Sequence, residues 1–150
     1  MYREVVESTV IHELVHAFDQ CTAKINWKNL KHHACTEIRA SNMSGECGMM
    51  IEWMRGNFKF GGHKKECVKR RSSLSVASNP FLGSPSNSRE EKIIMAREVV
   101  ETVFDECYAD THPLPCDLGI LKKGMMKRDL ELKHSEDKIK QQLKNDSSNS

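Results

Sequence analysis

The residues best suited to chemistry lie near the start of the chain, where His12, Glu13 and His16 form the pattern His-Glu-x-x-His. Side chains four positions apart on an α-helix point to the same side, so the two imidazoles can bind one metal ion. The pattern is typical of zinc hydrolases, in which the glutamate takes a proton from a metal-bound water. We therefore expect His12 and His16 to be zinc ligands and Glu13 to be the catalytic base.

A catalytic zinc site takes three protein ligands and keeps a fourth position open for water. Glu37 is the main candidate for the third ligand, because it lies near the start of a second predicted helix, as in His₂Glu sites of the thermolysin type. Asp19 is an alternative, either as a ligand or as a hydrogen-bond partner of a ligand imidazole. Three further residues are weaker candidates: Glu46, Glu52 and His112. The longer pattern with a third histidine ligand is absent.

Helices are expected to position these residues. The motif lies in a segment that is apolar around most of its circumference, which predicts a buried helix over about residues 3–21. A second helix is predicted from near Ala34 to Gly56, followed by a short basic helix. A loop rich in Pro, Gly and Ser spans residues 78–88, and a capping box of Ser88 and Glu91 begins the last helix. The sequence thus predicts a mainly α fold with a zincin-like helical core around the motif helix.

Other conspicuous residues are interpreted as structural. Trp27 and Trp53 are predicted to lie in the core. The adjacent pair His32-His33 is predicted to lie in an exposed loop rather than at a metal. The basic run over residues 64–71 lacks interleaved aromatic residues, which favours a solvated face over a phosphate-binding surface.

Length and composition limit the organisation of the chain. A chain of 150 residues suits one domain with a tail, and the hydrophobic share of 38% is low for a compact globule. We predict a metallopeptidase domain over residues 1–116 and a charged, disordered tail over residues 117–150. The net charge of +2 is too small to indicate nucleic acid as a partner. The sequence contains no apolar run long enough to span a bilayer.

The six cysteines are widely spaced and form no Cys-x-x-Cys pair, so zinc-ribbon spacing is absent. An even number of cysteines favours an oxidising compartment, although buried thiols in a reducing one are the alternative. We expect a Cys21–Cys35 disulfide in preference to Cys35–Cys47, because the latter pair would lie too far apart on one intact helix. A Cys107–Cys116 disulfide is also expected, because the two prolines between them allow the chain to turn back.

Several motifs occur in the same order as in a known family. They are His-Glu-Leu-Val-His-Ala-Phe-Asp (12–19), Asn-Trp (26–27), His-His-Ala-Cys-Thr-Glu-Ile-Arg-Ala-Ser (32–41), Ser-Gly-Glu-Cys (44–47), Arg-Gly-Asn-Phe (55–58), Cys-Val-Lys-Arg-Arg (67–71) and Val-Phe-Asp-Glu-Cys-Tyr-Ala-Asp-Thr (103–111). Over roughly residues 3–115, the chain therefore resembles the mitochondrial inner-membrane metalloproteases that process and assemble ATP synthase.

The resemblance implies a zinc endopeptidase that is peripheral to the mitochondrial inner membrane on its intermembrane-space side. It implies maturation of subunit a of ATP synthase and assistance to Fo assembly intermediates, with His12 and His16 as ligands and Glu13 as the base. The alternative is a non-proteolytic assembly chaperone with a structural or vestigial zinc site. Relatives carry a further segment before the motif helix, so we expect this chain to lack the family's N-terminal segment. The family's usual ending is also replaced after Pro115.

Overall fold

The computed structural model describes residues 2–57 and 62–113 of the chain. Within these ranges it contains five α-helices and no β-strand, so the predicted mainly α fold is confirmed. The helices are α1 (Tyr2–Thr22), α2 (Leu30–Met43), α3 (Met49–Met54), α4 (His63–Ala77) and α5 (Arg89–Ala109). The predicted domain boundary at residue 116 and the predicted tail lie outside the described residues.

Two helix starts show how the local sequence sets the elements. The predicted capping box begins α5: the Ser88 hydroxyl accepts from the Glu91 N–H, and the Glu91 carboxylate accepts from the Ser88 N–H at 2.9 Å. Asn29 caps α2, because its side-chain oxygen accepts from the Lys31 N–H at 3.0 Å. This cap starts α2 at Leu30, before the predicted start, and therefore places His33 within the helix.

The predicted second helix is two helices in the structure. The first, α2, ends at Met43. Gly45 follows with a φ of 78°, a left-handed conformation that glycine adopts without steric strain. The chain then turns before α3 begins at Met49. Cys47 lies in this turn and not on a helix.

The core surrounds α2, which packs against α1, α4 and α5. Its apolar side chains are almost inaccessible to water and come from three helices and the loop before α5. They include Ala34, Ile38, Val68, Val76, Leu82, Ala96, Val100 and Phe104. Burial of this set excludes water from the side of α2 that faces away from α1.

Two disulfides join α2 and its following turn to the other helices. Cys35 bonds Cys107 and so connects α2 with α5, with the two Cα atoms 5.3 Å apart. Cys47 bonds Cys67 and connects the turn with α4, at a Cα separation of 5.7 Å. Both separations are ordinary for a disulfide.

The predicted Cys21–Cys35 pairing is wrong. Cys21 is a free, exposed thiol at the end of α1, whereas Cys35 faces α5. The predicted Cys107–Cys116 pairing is wrong for the same reason, since Cys107 is already bonded to Cys35. Cys116 itself lies outside the described residues.

The prediction that α1 is buried on most sides is also wrong. Val15 is 3% exposed, but Val6, Val10 and Leu14 are 59%, 51% and 61% exposed. The buried strip of α1 instead carries the small or polar residues Ser8 and Asp19 beside Val15. No helix in the described ranges has the length and apolar character needed to cross a membrane.

Candidate metal centre

The first and second helices bring two imidazoles and one carboxylate together. His12 and His16 project from the same side of α1 towards Glu37 on α2. The Nε2 atoms of the two histidines are 3.1 Å apart. Glu37 Oε2 is 3.6 Å from His12 Nε2, and Glu37 Oε1 is 3.5 Å from His16 Nε2. One donor atom from each residue lies within 4.8 Å of the others.

These distances fit a single metal ion. Ligand atoms bound at about 2.05 Å in tetrahedral geometry are separated from one another by about 3.3 Å. The two histidine nitrogens are 3.1 Å apart, each lies 3.5–3.6 Å from a different oxygen of Glu37, and one donor atom of each residue lies within 4.8 Å of the others. Two imidazole nitrogens and a carboxylate are also a donor set that zinc binds in catalytic sites. The residues present are therefore suited to hold such an ion.

The charges at the site favour a cation. Burial lowers the pKa of His12, but contacts with Glu37 and Glu46 outweigh burial and raise this pKa to about 9. Burial lowers the pKa of His16, and the neighbouring His12 adds to this effect. Burial raises the pKa of Glu37, yet the close contacts with His12 and His33 outweigh it and hold this pKa well below its usual range. The carboxylates of Glu37 and Glu46 thus favour the protonated, positively charged form of His12. A divalent metal ion bound here would supply positive charge to these carboxylates in place of that proton.

The three residues open into a cleft of about 560 Å³. Glu13 lies at its edge, since its position in the motif places it beside His12 and His16 but on the exposed side of α1. The rest of the lining comes from the α1–α2 connection and from α4, namely Trp27, Arg71, Leu74 and Ser75. An exposed carboxylate beside a buried donor set is suited to exchange protons with a molecule in the cleft.

Trp27 is not a core residue as predicted. It is 41% exposed and lines the cleft, with its ring centroid 6.3 Å from that of His16. Its position in a short, largely polar connection explains this exposure, because few apolar neighbours in sequence can cover the ring. Trp53 is 37% exposed, so its predicted place in the core is wrong as well.

Asp19 is not at the metal centre and does not orient a ligand imidazole. Its carboxylate pairs with the buried Arg39 guanidinium, with Asp19 Oδ1 2.9 Å from Arg39 Nη2. Arg39 also donates to the backbone oxygen of Asp110 and forms an ion pair with the Asp110 side chain. Asp19 therefore joins α1 to α2 and to the segment after α5.

The weaker ligand candidates are placed away from the three donor atoms. Glu52 pairs with Arg70, and His112 is exposed beyond α5. Glu46 is the exception, because its Oε1 lies 3.3 Å from His12 Nδ1. That contact lacks hydrogen-bond alignment and is therefore electrostatic. The other oxygen of Glu46 accepts from Arg71 Nη2 at 2.8 Å.

Sequence reasoning missed two residues of the site. His33 was expected in an exposed loop, but its side chain is 12% exposed and its Nε2 lies 3.4 Å from Glu37 Oε1. The spacing of four between His33 and Glu37 on one helix is a signal that could have found it. Arg71 was expected on a solvated face, but it lines the cleft. His32 is exposed, as predicted.

Comparison with known proteins identifies the class as a peptidase. Curated proteins called mitochondrial inner membrane protease ATP23 match the chain in several fungi. The protein from Mycosarcoma maydis is 44% identical over 108 residues, covering 72% of this chain and 46% of its own length. The Yarrowia lipolytica protein is 47% identical over 113 residues, covering 74% and 42%. The Schizosaccharomyces pombe protein is 44% identical over 112 residues, covering 74% and 56%.

The sequence profile of the peptidase M76 family matches residues 1–115. The chain belongs to the peptidase M76 family. It spans about half the length of the curated relatives it matches. No solved structure matches the chain.

Proposed function

We propose that this chain is a zinc-dependent endopeptidase in which His12, His16 and Glu37 hold the metal and Glu13 is the catalytic base. The observation that carries the proposal is the convergence of His12, His16 and Glu37, each with one donor atom within 4.8 Å of the others, at the floor of an open cleft. Membership of a peptidase family supports the same chemistry. Bound zinc supplies Lewis-acid polarisation of a peptide carbonyl and of water.

The chain's own side chains would perform the remaining steps. The Glu13 carboxylate accepts a proton from the attacking water and passes it to the nitrogen of the leaving amine. Arg71, the only Lys or Arg among the described residues that line the cleft, donates to the carbonyl oxygen as negative charge develops there. Trp27 and Leu74 provide apolar contact for side chains of the bound peptide.

We further propose that the protease acts at the mitochondrial inner membrane, on its intermembrane-space side and by peripheral contact. The names of the relatives support the membrane. The two disulfides are in keeping with an oxidising space. The proposed substrate is the precursor of ATP synthase subunit a, and the proposed further partners are assembly intermediates of Fo.

The experiment compares Glu13→Gln with the unmodified chain. Glu13→Gln removes the proton acceptor while leaving the proposed ligands in place, so cleavage of the subunit a precursor should be lost and zinc content retained. Glu4→Gln is the matched control, because Glu4 is an exposed carboxylate on the same helix outside the cleft. Normal cleavage by the Glu13→Gln variant contradicts the proposed mechanism.

A second candidate function is assembly of ATP synthase without proteolysis. The exposed apolar residues Val6, Val10 and Leu14 on α1 favour it, because such a surface is suited to bind another protein. Glu13→Gln also separates this function from the first. If that variant restores ATP synthase assembly in cells without the protein, the assembly function does not need the carboxylate. Failure to restore it contradicts the second function.

A further inference from the structure

We propose that Asn79 and His33 act as a positioning pair that orients the Glu37 carboxylate for the metal. The inference rests on the proposed function, since it assumes that Glu37 is a ligand. Asn79 lies in the loop between α4 and α5, far from Glu37 along the chain, and belongs to none of the motifs in the sequence. The structure connects the two residues through His33.

The orientation of the Asn79 amide is fixed by two backbone groups. Its Oδ1 accepts from the Phe81 N–H at 2.9 Å, and its Nδ2 donates to the Trp27 carbonyl oxygen at 3.2 Å. Exchanging the oxygen and nitrogen would set two donors against each other at Phe81 and two acceptors against each other at Trp27. Nδ2 must therefore be the atom that faces His33.

This orientation determines the tautomer of His33. Asn79 Nδ2 lies 2.9 Å from His33 Nδ1. Because Nδ2 can only donate, His33 Nδ1 must accept and cannot carry a proton. The proton of the neutral ring is then on Nε2, which lies 3.4 Å from Glu37 Oε1.

The protonated Nε2 of His33 is therefore the ring atom nearest one oxygen of the proposed ligand, and the partial positive charge of its N–H attracts that oxygen across 3.4 Å without hydrogen-bond alignment. All three side chains are shielded from water: Asn79 is 7% exposed, Glu37 is 8% exposed and the His33 side chain is 12% exposed. Polar contacts are stronger in such surroundings, because water competes less for the donor and the acceptor. A partner of this kind restricts the rotation of a ligand and raises its affinity for the metal.

The same amide also holds the wall of the cleft. Asn79 Nδ2 binds the Trp27 carbonyl, and the Trp27 ring lies edge-on to His33 with the centroids 5.7 Å apart. One loop residue thus connects the α1–α2 connection, α2 and the α4–α5 loop at the place where Glu37 meets the histidines.

The test measures zinc affinity of the full chain by competition with a chelator. His33→Phe keeps a ring but removes the N–H nearest Glu37, and its zinc affinity should fall about 10–100-fold. His33→Gln keeps an amide N–H close to the position of Nε2, so its affinity should remain near that of the unmodified chain. If the ring only fills space, His33→Phe should keep more zinc affinity than His33→Gln. Equal affinity of His33→Phe and the unmodified chain overturns the proposal.

Asn79→Leu provides a second test, because its effect should depend on residue 33. With His33 present, Asn79→Leu removes the contact that keeps the ring proton on Nε2, so zinc binding should weaken. In the His33→Gln background the donor no longer depends on Asn79, so the same change should leave the affinity unaltered. An equal loss in both backgrounds overturns the proposal. Thermal unfolding of the metal-free variants gives the loss of stability separately.

Glu37→Ala distinguishes failure of this inference from failure of the proposed function. If the unmodified chain binds no zinc, or if Glu37→Ala binds it normally, the proposed ligand set is wrong. If Glu37→Ala loses zinc and His33→Phe does not, only the positioning role is wrong. A loss in His33→Phe as great as in Glu37→Ala, without recovery in His33→Gln, also overturns the inference, because His33 would then bind the metal itself.

Discussion

Removal of the Cys35–Cys107 disulfide should destabilise the chain more than removal of Cys47–Cys67. The first bond joins residues 72 positions apart and the second joins residues 20 apart. A disulfide restricts the unfolded chain, and the loss of entropy grows with the logarithm of the loop length. The corresponding stabilisation near room temperature is about 4.4 kcal/mol for the longer loop and about 3.3 kcal/mol for the shorter one.

The assay is urea-induced unfolding of the metal-free, oxidised protein. The double variant Cys35→Ala/Cys107→Ala is compared with Cys47→Ala/Cys67→Ala, which is its matched control because it too removes one disulfide with largely buried sulfurs. The expected difference in the free energy of unfolding is about 1 kcal/mol. A small domain is stable by only about 5–15 kcal/mol, so either change should be readily measured. Equal losses, or a greater loss in the control, would refute the reasoning from loop length.

Three further predictions concern the cleft and its charges. Arg71→Met should lower kcat/KM for cleavage of the subunit a precursor about 10²-fold with zinc retained. Arg70→Met should leave cleavage near normal but reduce stability, because Arg70 pairs with the buried Glu52 outside the cleft. Glu37→Ala should lose zinc, as measured by metal content after dialysis. Burial raises the pKa of Glu46, but His12, Ser41 and Arg71 outweigh it and lower this pKa from 4.5 to about 2. The metal-free protein should therefore lose stability as the pH falls from about 4.5 towards 2, and Glu46→Gln should lose less over that range.

The sequence predicts the features of the site that depend on local spacing. His12 and His16 converge because they are four apart on one helix, and the Ser88–Glu91 capping box starts α5 where the sequence places it. Glu37 could be proposed because a following helix commonly supplies the third ligand. The structure places it beside both histidines, and its role as a ligand stays a proposal.

Features that depend on distant segments could not be predicted in this way. Cys35 pairs with Cys107 because α2 and α5 lie side by side, which no spacing in the sequence reveals. Arg71 looks like part of a solvated basic run until α4 is packed beside Glu46. Asn79 looks like an ordinary loop residue in the sequence, because two of its partners, Trp27 and His33, come from distant segments of the chain.

The most instructive error concerns which helix is buried. Hydrophobicity predicts α1, yet α2 is the central helix although many of its buried residues are polar. It can be buried because partners satisfy several of its polar groups: Arg39 pairs with Asp19, Asn42 Nδ2 donates to the Tyr108 carbonyl at 2.9 Å, and Glu37 faces the histidines. These partners lie on α1 and α5 and cannot be read from α2 alone. The apolar residues of α1 are left exposed because its polar side is the one that α2 requires. Burial of α2 therefore depends on the pairing of its polar groups as much as on hydrophobicity.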